Sequence, residues 1–481
     1  MARYKEYDNR QVQFMVLDPE KVFADNPLLA TIDGFVEGFT DLEVFATKVR
    51  NNHVGAPAVD PRMVLKILFY SFAIGLYSSR EIESRTGWDI NFVLLCGGKS
   101  LDHSTLCNFI LKYEEEIIGI FTQLLYVAQI LNLVGMDFIA IDGTKIRANV
   151  DKEFTGTVEE FLQKKLSLEQ VIIERLKRTA EEDPKYQERS RRKIVQMEQA
   201  QERINKFVEQ LEGGESAEKD KIRSLSDPDA SIVKDQDRKY PGFNCQAAVD
   251  DKNHMIVAAD VTNQENDSHM LAPMVEEIKR QTGNDLKNTD IGVDSGYSNS
   301  ESLSFCNEEG LNVYMPSGRG PGGQPRLADD RITSRHCEAR IEGDERILIC
   351  PGGQTMTVTQ SIRTSRADNY SFEPDPAKCE GCQLKDICYK DVHKTKKKFL
   401  VRKDYFENLP LRKQMIERLS SLEGVHRMAD RSCVVEHVFG EIKQLRSFRR
   451  FFHRGLKKVK LIWTIVCTAY NFRKIAVLGI T

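Results

Sequence analysis

The sequence predicts an α/β protein: a mixed-sheet core with a helical N-terminal domain, a helical-hairpin insert and a cysteine-rich insert. The core is predicted by a repeated pattern. Phe138-Ile-Ala-Ile-Asp142-Gly143 runs apolar and small residues into an aspartate and a glycine, which reads as a buried strand closed by a turn. Ile291-Gly-Val-Asp294-Ser-Gly-Tyr297 repeats it. The hairpin is predicted by residues 157–211, where Val158, Phe161, Leu162, Leu166, Ile172, Ile173 and Leu176 recur at helical spacing among many charges.

Residues 1–135 read as helices. Asp60-Pro61 opens one with proline in its first turn, and Val64, Leu65, Leu68, Phe69 and Phe72 supply its apolar face. A serine cap at Ser78-Ser79 opens a second, and Ser104 opens a third. Short helices separated by Gly87 and Gly97-Gly98 suit a helix-turn-helix-like DNA-binding domain, and equally a plain helical bundle. Gly98-Lys99-Ser100 is no phosphate loop, because Val93 stands where the earlier glycine is needed.

The core is assigned to 136–156, 215–317 and 423–481. The hairpin insert spans 157–214, broken at Asp183-Pro184 and ending at Gly213-Gly214. Strands at 243–249 and 255–259 flank a turn at Asp250-Asp-Lys-Asn253. A helix follows at 268–282, with Leu271, Met274, Val275 and Ile278 on one face, then a helix at 300–310 and a strand at 311–315. The cysteine-rich insert, 318–422, opens on a Gly/Pro loop at 318–325, and basic residues crowd 394–403. Beyond Leu422 the chain returns to helix and then to a basic, aromatic-rich tail.

Bulk properties bound the partners. The chain has 481 residues and a formal net charge of −3, so local clusters must carry any nucleic-acid argument. No apolar h-region opens the sequence and no apolar run reaches membrane-spanning length, so the expectation is a cytoplasmic protein without membrane association. The 11 cysteines are then not disulfides.

The chemistry is carried by three acids. Two-metal phosphodiester cleavage needs oxygen ligands that bridge a pair of hard cations. Asp142 and Asp294 at strand ends, with Glu436 on a helix, supply that set. Asp250, Asp251, Asp260, Asp267 and Asp290 compete nearby; the first two suit a turn, and Asp267 suits a helix cap. Lys443 stands seven residues past Glu436, two turns along the same helix face, where it can hold a phosphate.

These residues carry a resemblance. Asp142-Gly-Thr-Lys-Ile, Ser226-Asp-Pro-Asp-Ala230, Pro241-Gly-Phe-Asn-Cys-Gln246, Val293-Asp-Ser-Gly-Tyr297 and Glu436-His-Val-Phe-Gly440, in this order, resemble the DDE transposases of bacterial insertion sequences. The resemblance runs from about residue 60 to 475. It implies a ribonuclease-H-like core, with Asp142, Asp294 and Glu436 as ligands of Mg²⁺ or Mn²⁺. It also implies double-stranded DNA (element terminal repeats and target) as substrate, and a homodimer or higher assembly on DNA. Related chains often place arginine four positions before the glutamate; here Ser432 stands there and Arg431 is one earlier. A hydrolytic nuclease of the same fold, or a non-catalytic DNA-binding regulator derived from a transposase, are the alternatives.

Two further clusters stand out. Cys379-Glu-Gly-Cys382, Cys388 and the upstream Cys350 make four thiols suited to tetrahedral Zn²⁺. A redox pair, an iron–sulfur cluster or unligated thiols fit the same residues, and His336 with Cys337 is an alternate ligand source. Cys96, Cys107, Cys245, Cys306, Cys433 and Cys467 read as small core residues. Lys443, Arg446, Arg449, Arg450, Arg454, Lys457 and Lys458, interleaved with Phe448, Phe451, Phe452 and His453, form a basic stripe that would neutralise DNA phosphates. The same pattern fits a solvated helix face over an aromatic core. Arg431 is expected to join the DNA-binding set.

Overall fold

Aspartate and asparagine caps set where the N-terminal helices begin. The computed structural model describes residues 17–48, 58–151, 154–181, 184–212, 222–235, 238–317, 332–364, 367–389 and 397–479. The ends of two predicted segments, Gly213-Gly214 and the 318–325 loop, fall outside them, as do Asp183 and Lys394. The chain forms two units. One comprises Met1–Leu131, Leu445–Ser447 and Thr464–Thr481; the other comprises Asn132–Gln444 and Phe448–Trp463.

The first unit is helical: α1 (Pro19–Asp25), α2 (Pro27–Gly38), α3 (Glu43–Ala46), α4 (Pro61–Ala73), α5 (Ser79–Thr86), α6 (Ile90–Leu95), α7 (His103–Lys112) and α8 (Glu114–Ile130). Asp60 caps α4 by accepting from the Arg62 amide at 2.9 Å. The predicted face of α4 is buried throughout. Two predicted caps differ. Ser78 holds the cap position of α5 without a side-chain bond. α7 is capped by Asp102, which accepts from the amides of Ser104 and Thr105, because a carboxylate reaches both donors at once. Phe35 and Phe69 pack on Phe472 at 5.2 and 5.3 Å.

The second unit is a mixed α/β body. Its main sheet holds β1 (Phe138–Arg147), β4 (Ser231–Asp235), β5 (Arg238–Asp250), β6 (Ile256–Thr262), β7 (Asp290–Gly292) and β8 (Asn312–Tyr314). β5 lies antiparallel to β1, and both β4 and β6 pair with β5; β1, β7 and β8 run parallel. Between β1 and β4 come β2 (Thr155–Gly156), α9 (Val158–Glu181), α10 (Pro184–Glu212) and β3 (Arg223–Ser224). Helices α11 (Leu271–Thr282) and α12 (Ser300–Glu308) alternate with the last strands, and α11 buries its predicted face.

A second, antiparallel sheet contains β9 (Glu338–Glu342), β10 (Glu345–Ile349), β11 (Thr355–Arg363), β12 (Asp368–Phe372) and β13 (Phe399–Arg402) in spatial order. The short helices α13 (Pro376–Glu380) and α14 (Lys385–Cys388) sit between β12 and β13. Helix returns earlier than Leu422, in α15 (Lys403–Glu407) and α16 (Leu409–Ser420), before α17 (Leu422–Gly440) and α18 (Leu456–Val477). Residues 456–463 of α18 belong to the second unit and the remainder to the first.

Candidate active site and nucleic-acid interface

The parallel ladder places two of the three predicted acids. Phe138, Ile139 and Ala140 pair with Asp290, Ile291 and Gly292. Asp142 and Asp294 each follow the last pair by two residues, so their backbones leave the ladder in the same register. β1 does not end at Asp142 as the sequence suggests. Its antiparallel pairing with β5 continues to Arg147 opposite Gly242. Asp142 therefore marks the end of the parallel ladder only. The Asp294 carboxylate accepts from the Gly296 amide at 2.7 Å and caps the turn Ser295–Tyr297.

Alternation along β1 puts Phe138, Ala140 and Asp142 on the face covered by α17. Arg427 lies over the Phe138 ring and pairs with Asp290. One turn on, Arg431 Nη2 meets Asp142 Oδ2 at 2.6 Å. Gly292 admits this helix, since an added Cβ would fall 3.1 Å from Arg431 Cβ. Burial pushes the Asp142 carboxyl up to about 6; Arg431 opposes the rise, and Asp294 and Asp267 add to it.

Glu436 lies five residues beyond Arg431 on α17. It is exposed and accepts from Ser432 Oγ at 3.0 Å. The oxygens of Asp142, Asp294 and Glu436 do not all fall within 4.8 Å of one another; among the described residues, Glu83, Asp102 and His103 form the group that does.

On the opposite face the site contains residues the sequence reading passed over. Asn244 and Gln246 are fully buried on β5, two residues apart and therefore on one face. Both donate to Asp267 Oδ1 at 2.7 Å, and Lys145 Nζ approaches the same oxygen at 3.2 Å. Tyr297 donates its hydroxyl to Gln246 Oε1, and burial raises the phenol well above its usual range. Gly143 makes this cluster possible: a Cβ there would come within 3.0 Å of Gln246 Nε2, Asp267 Oδ1 and Asn244 Oδ1. Asp267 is thus no helix cap. α11 starts at Leu271 with Met270 in the cap position, and Lys145, Asn244 and Gln246 hold the carboxylate. The available signal was an amide pair at strand period inside an otherwise apolar run.

The basic segment is a loop over 446–455, while Lys457 and Lys458 lie in the first turn of α18. The loop adds to the far end of β1: the Arg147 amide donates to Arg449 O at 3.2 Å and the Phe451 amide to Arg147 O at 2.9 Å. Asn149 Oδ1 accepts from Arg450 and its backbone carbonyl from Arg454. Phe448 and Phe451 are buried against Trp463 and Phe243, while Phe452 is exposed. Arg449, Arg450, Arg454, Lys457 and Lys458 are exposed.

The Ser226–Ala230 motif fastens this loop, since Asp227 and Asp229 accept from the amides of Gly455 and Leu456 at 3.1 and 2.8 Å. Lys443 does not stack over Glu436. The helix widens to π geometry over Glu441–Leu445, which breaks the two-turn repeat, and Lys443 pairs with Asp235 at 3.2 Å. Arg446 belongs to the helical unit, half-buried, its carbonyl accepting from Tyr77.

Cys350, Cys379, Cys382 and Cys388 line one void of about 30 Å³ under the second sheet. Two tight turns present them: Gly353 N donates to Cys350 O at 2.8 Å, and Cys382 N to Cys379 O at 3.2 Å. Gly352 leaves room for the Cys382 sulfur, which an added Cβ would meet at 2.9 Å. Burial raises the Cys388 thiol, and the neighbouring Cys379, Cys350 and Cys382 raise it further against the pull of Lys397. Cys337 is not in this group: it lies in the apolar core of the second sheet, and His336 bonds to Thr333. Cys433 is exposed and Cys107 half-buried, so those two are not core residues; the four others predicted as core are buried.

Comparison with known families places the chain. Residues 18–112 match the family model described as a transposase domain (DUF772), and residues 349–476 match the one described as a transposase DDE domain. The chain is a DDE transposase. The matched stretches of the transposase include Glu436 and the four clustered cysteines; Asp142 and Asp294 lie outside both. No curated protein matches the chain. No helix among the described residues is long and apolar enough to cross a membrane.

Proposed function

We propose that the transposase cleaves insertion-sequence ends and joins them to target DNA, with Asp142, Asp294 and Glu436 as the acids of a two-cation site. The observation that carries this reading is the shared register of Asp142 and Asp294 at the end of the β1–β7 ladder. The strand order β6-β5-β1-β7-β8, antiparallel then parallel, supports a ribonuclease-H-like core, with α9–α10 and the second sheet as inserts.

The donor types fit a hard cation, since Asp142 and Asp294 are carboxylates that leave one ladder at matching register, with Arg431 already supplying one positive charge to Asp142. Bound Mg²⁺ or Mn²⁺ would activate the attacking hydroxyl and stabilise the leaving oxygen. The protein's own part is positional. Lys145, Asn244 and Gln246 hold Asp267, with Tyr297 bonded to Gln246, and α17 sets Arg431 on Asp142, with Glu436 five residues farther along the same helix. Arg449, Arg450 and Arg454, tied to the far end of the strand that bears Asp142, would hold the DNA backbone, with Lys457, Lys458, Lys443 and Arg446 as further members of that set. The four cysteines would hold a structural Zn²⁺.

The test is a plasmid assay with terminal-repeat DNA and Mg²⁺. Nicked and strand-transfer products are expected, and Asp142→Asn should lose both while still shifting the DNA in a gel. Nicking without joined products would favour the nuclease reading. Undiminished cleavage by Asp142→Asn would remove that acid from the site.

A further inference from the structure

Both oxygens of Asp142 are engaged by the chain itself. Oδ1 accepts from the Gly143 amide at 2.7 Å, and Oδ2 meets Arg431 Nη2 at 2.6 Å. The Arg431 side chain is 12 % exposed, and its Nε is buried with no hydrogen-bond partner among the described residues. A buried donor left over in this way is uncommon and points to an acceptor from outside. Arg427, one turn earlier on α17, is the contrast. It pairs with Asp290 at 2.7 Å and also lies over the Phe138 ring, so it is fastened twice. Arg431 and Glu436 stand about 140° apart around the helix, so α17 offers this carboxylate Arg431 while Glu436 is exposed.

We infer that Arg431 is a placeholder for the cation: it holds Asp142 in the DNA-free chain and is drawn off by a DNA phosphate, which opens Asp142 to the metal. The inference rests on the reading of Asp142 as a cation ligand. A hard cation bonded to Oδ2 at about 2.1 Å would stand within about 4.7 Å of Arg431 Nη2, given the contact now made there. Positive charges at that range repel, so cation and arginine compete for one oxygen. A phosphate suits the released guanidinium, because its oxygens can take Nε and Nη2 together as a fork. Cation and DNA then favour each other's binding, and the coupling is reciprocal.

The experiment uses the full chain in two titrations. In the first, Mn²⁺ is added without DNA and the free ion is counted by electron paramagnetic resonance. Arg431→Gln should bind Mn²⁺ about tenfold tighter than wild type, an ordinary size for such a coupling, and Arg427→Gln should match wild type. In the second, terminal-repeat duplex is titrated without added divalent cation and read by fluorescence anisotropy. Asp142→Asn frees Arg431 and should tighten DNA binding, and the gain should vanish when Arg431→Gln is added. Wild-type Mn²⁺ affinity in Arg431→Gln, an equal gain in Arg427→Gln, or a DNA gain that survives loss of the arginine would each overturn the inference while leaving the acids in place. Failure of the underlying reading looks different: Asp142→Asn would then bind Mn²⁺ as wild type does and still nick the plasmid, and both would fall.

Discussion

The two sheets of the transposase hold their reactive groups in different ways. In the main sheet, strand register sets residues 142, 244, 246 and 294, and side-chain bonds bring Asp267 from a loop and Arg431 from α17. In the second sheet, Cys350, Cys379, Cys382 and Cys388 come from two tight turns and the short helix that follows. The first cluster is neutralised and bonded by protein groups: Arg431 on Asp142, and Lys145, Asn244 and Gln246 on Asp267. The second presents four thiols to a void. The main sheet therefore holds its cluster by internal pairing, whereas the four thiols are gathered about a void with no three of their sulfurs within 4.8 Å of one another.

The largest effect that would sharpen this contrast is chemical. Asp294→Asn should lower metal-dependent nicking by at least about 10³-fold, about 4 kcal/mol of barrier, with the melting temperature unchanged. A large loss of stability instead would make Asp294 a structural residue. Next comes metal content. The purified chain should carry zinc by mass spectrometry, and Cys382→Ser should lose it and expose the second sheet to proteolysis while the main sheet stays resistant. A metal-free chain with a protease-resistant second sheet would erase the distinction. The smallest effect tests the internal pairing. Gln246→Leu strips a donor from Asp267 and an acceptor from Tyr297, so denaturant unfolding should show a loss of about 1–3 kcal/mol. An unaltered unfolding curve would mean the main cluster also leans on something outside the chain.

Legibility in the sequence followed the range of the interactions. The face of α4, the face of α11, the β5–β6 hairpin and the two aspartate strands are set by local periodicity and turn residues, and they were readable. β4 was not, because 231–235 is too short to show alternation. Asp267 looked like a helix cap because a cap is the local use for an aspartate before a helix; its partners Lys145, Asn244 and Gln246 are distant in sequence. Lys443 was placed by counting turns, and counting fails where the helix widens at Glu441–Leu445. The loop form of 446–455 was not readable in the basic stripe, because its anchors, Asn149 and the Ser226–Ala230 motif, lie more than two hundred residues upstream.

The small ladder at the base of the hairpin has a practical consequence. Thr155 pairs with Ser224 and Gly156 with Arg223, so the chain leaves the core and re-enters it about 5 Å away. A two-residue bridge from Gly156 to Arg223 could close that gap. The whole arm is in this sense a detachable module: excised, it should leave the acids where they are, and exchanged for another arm, it would give the same blade a different handle.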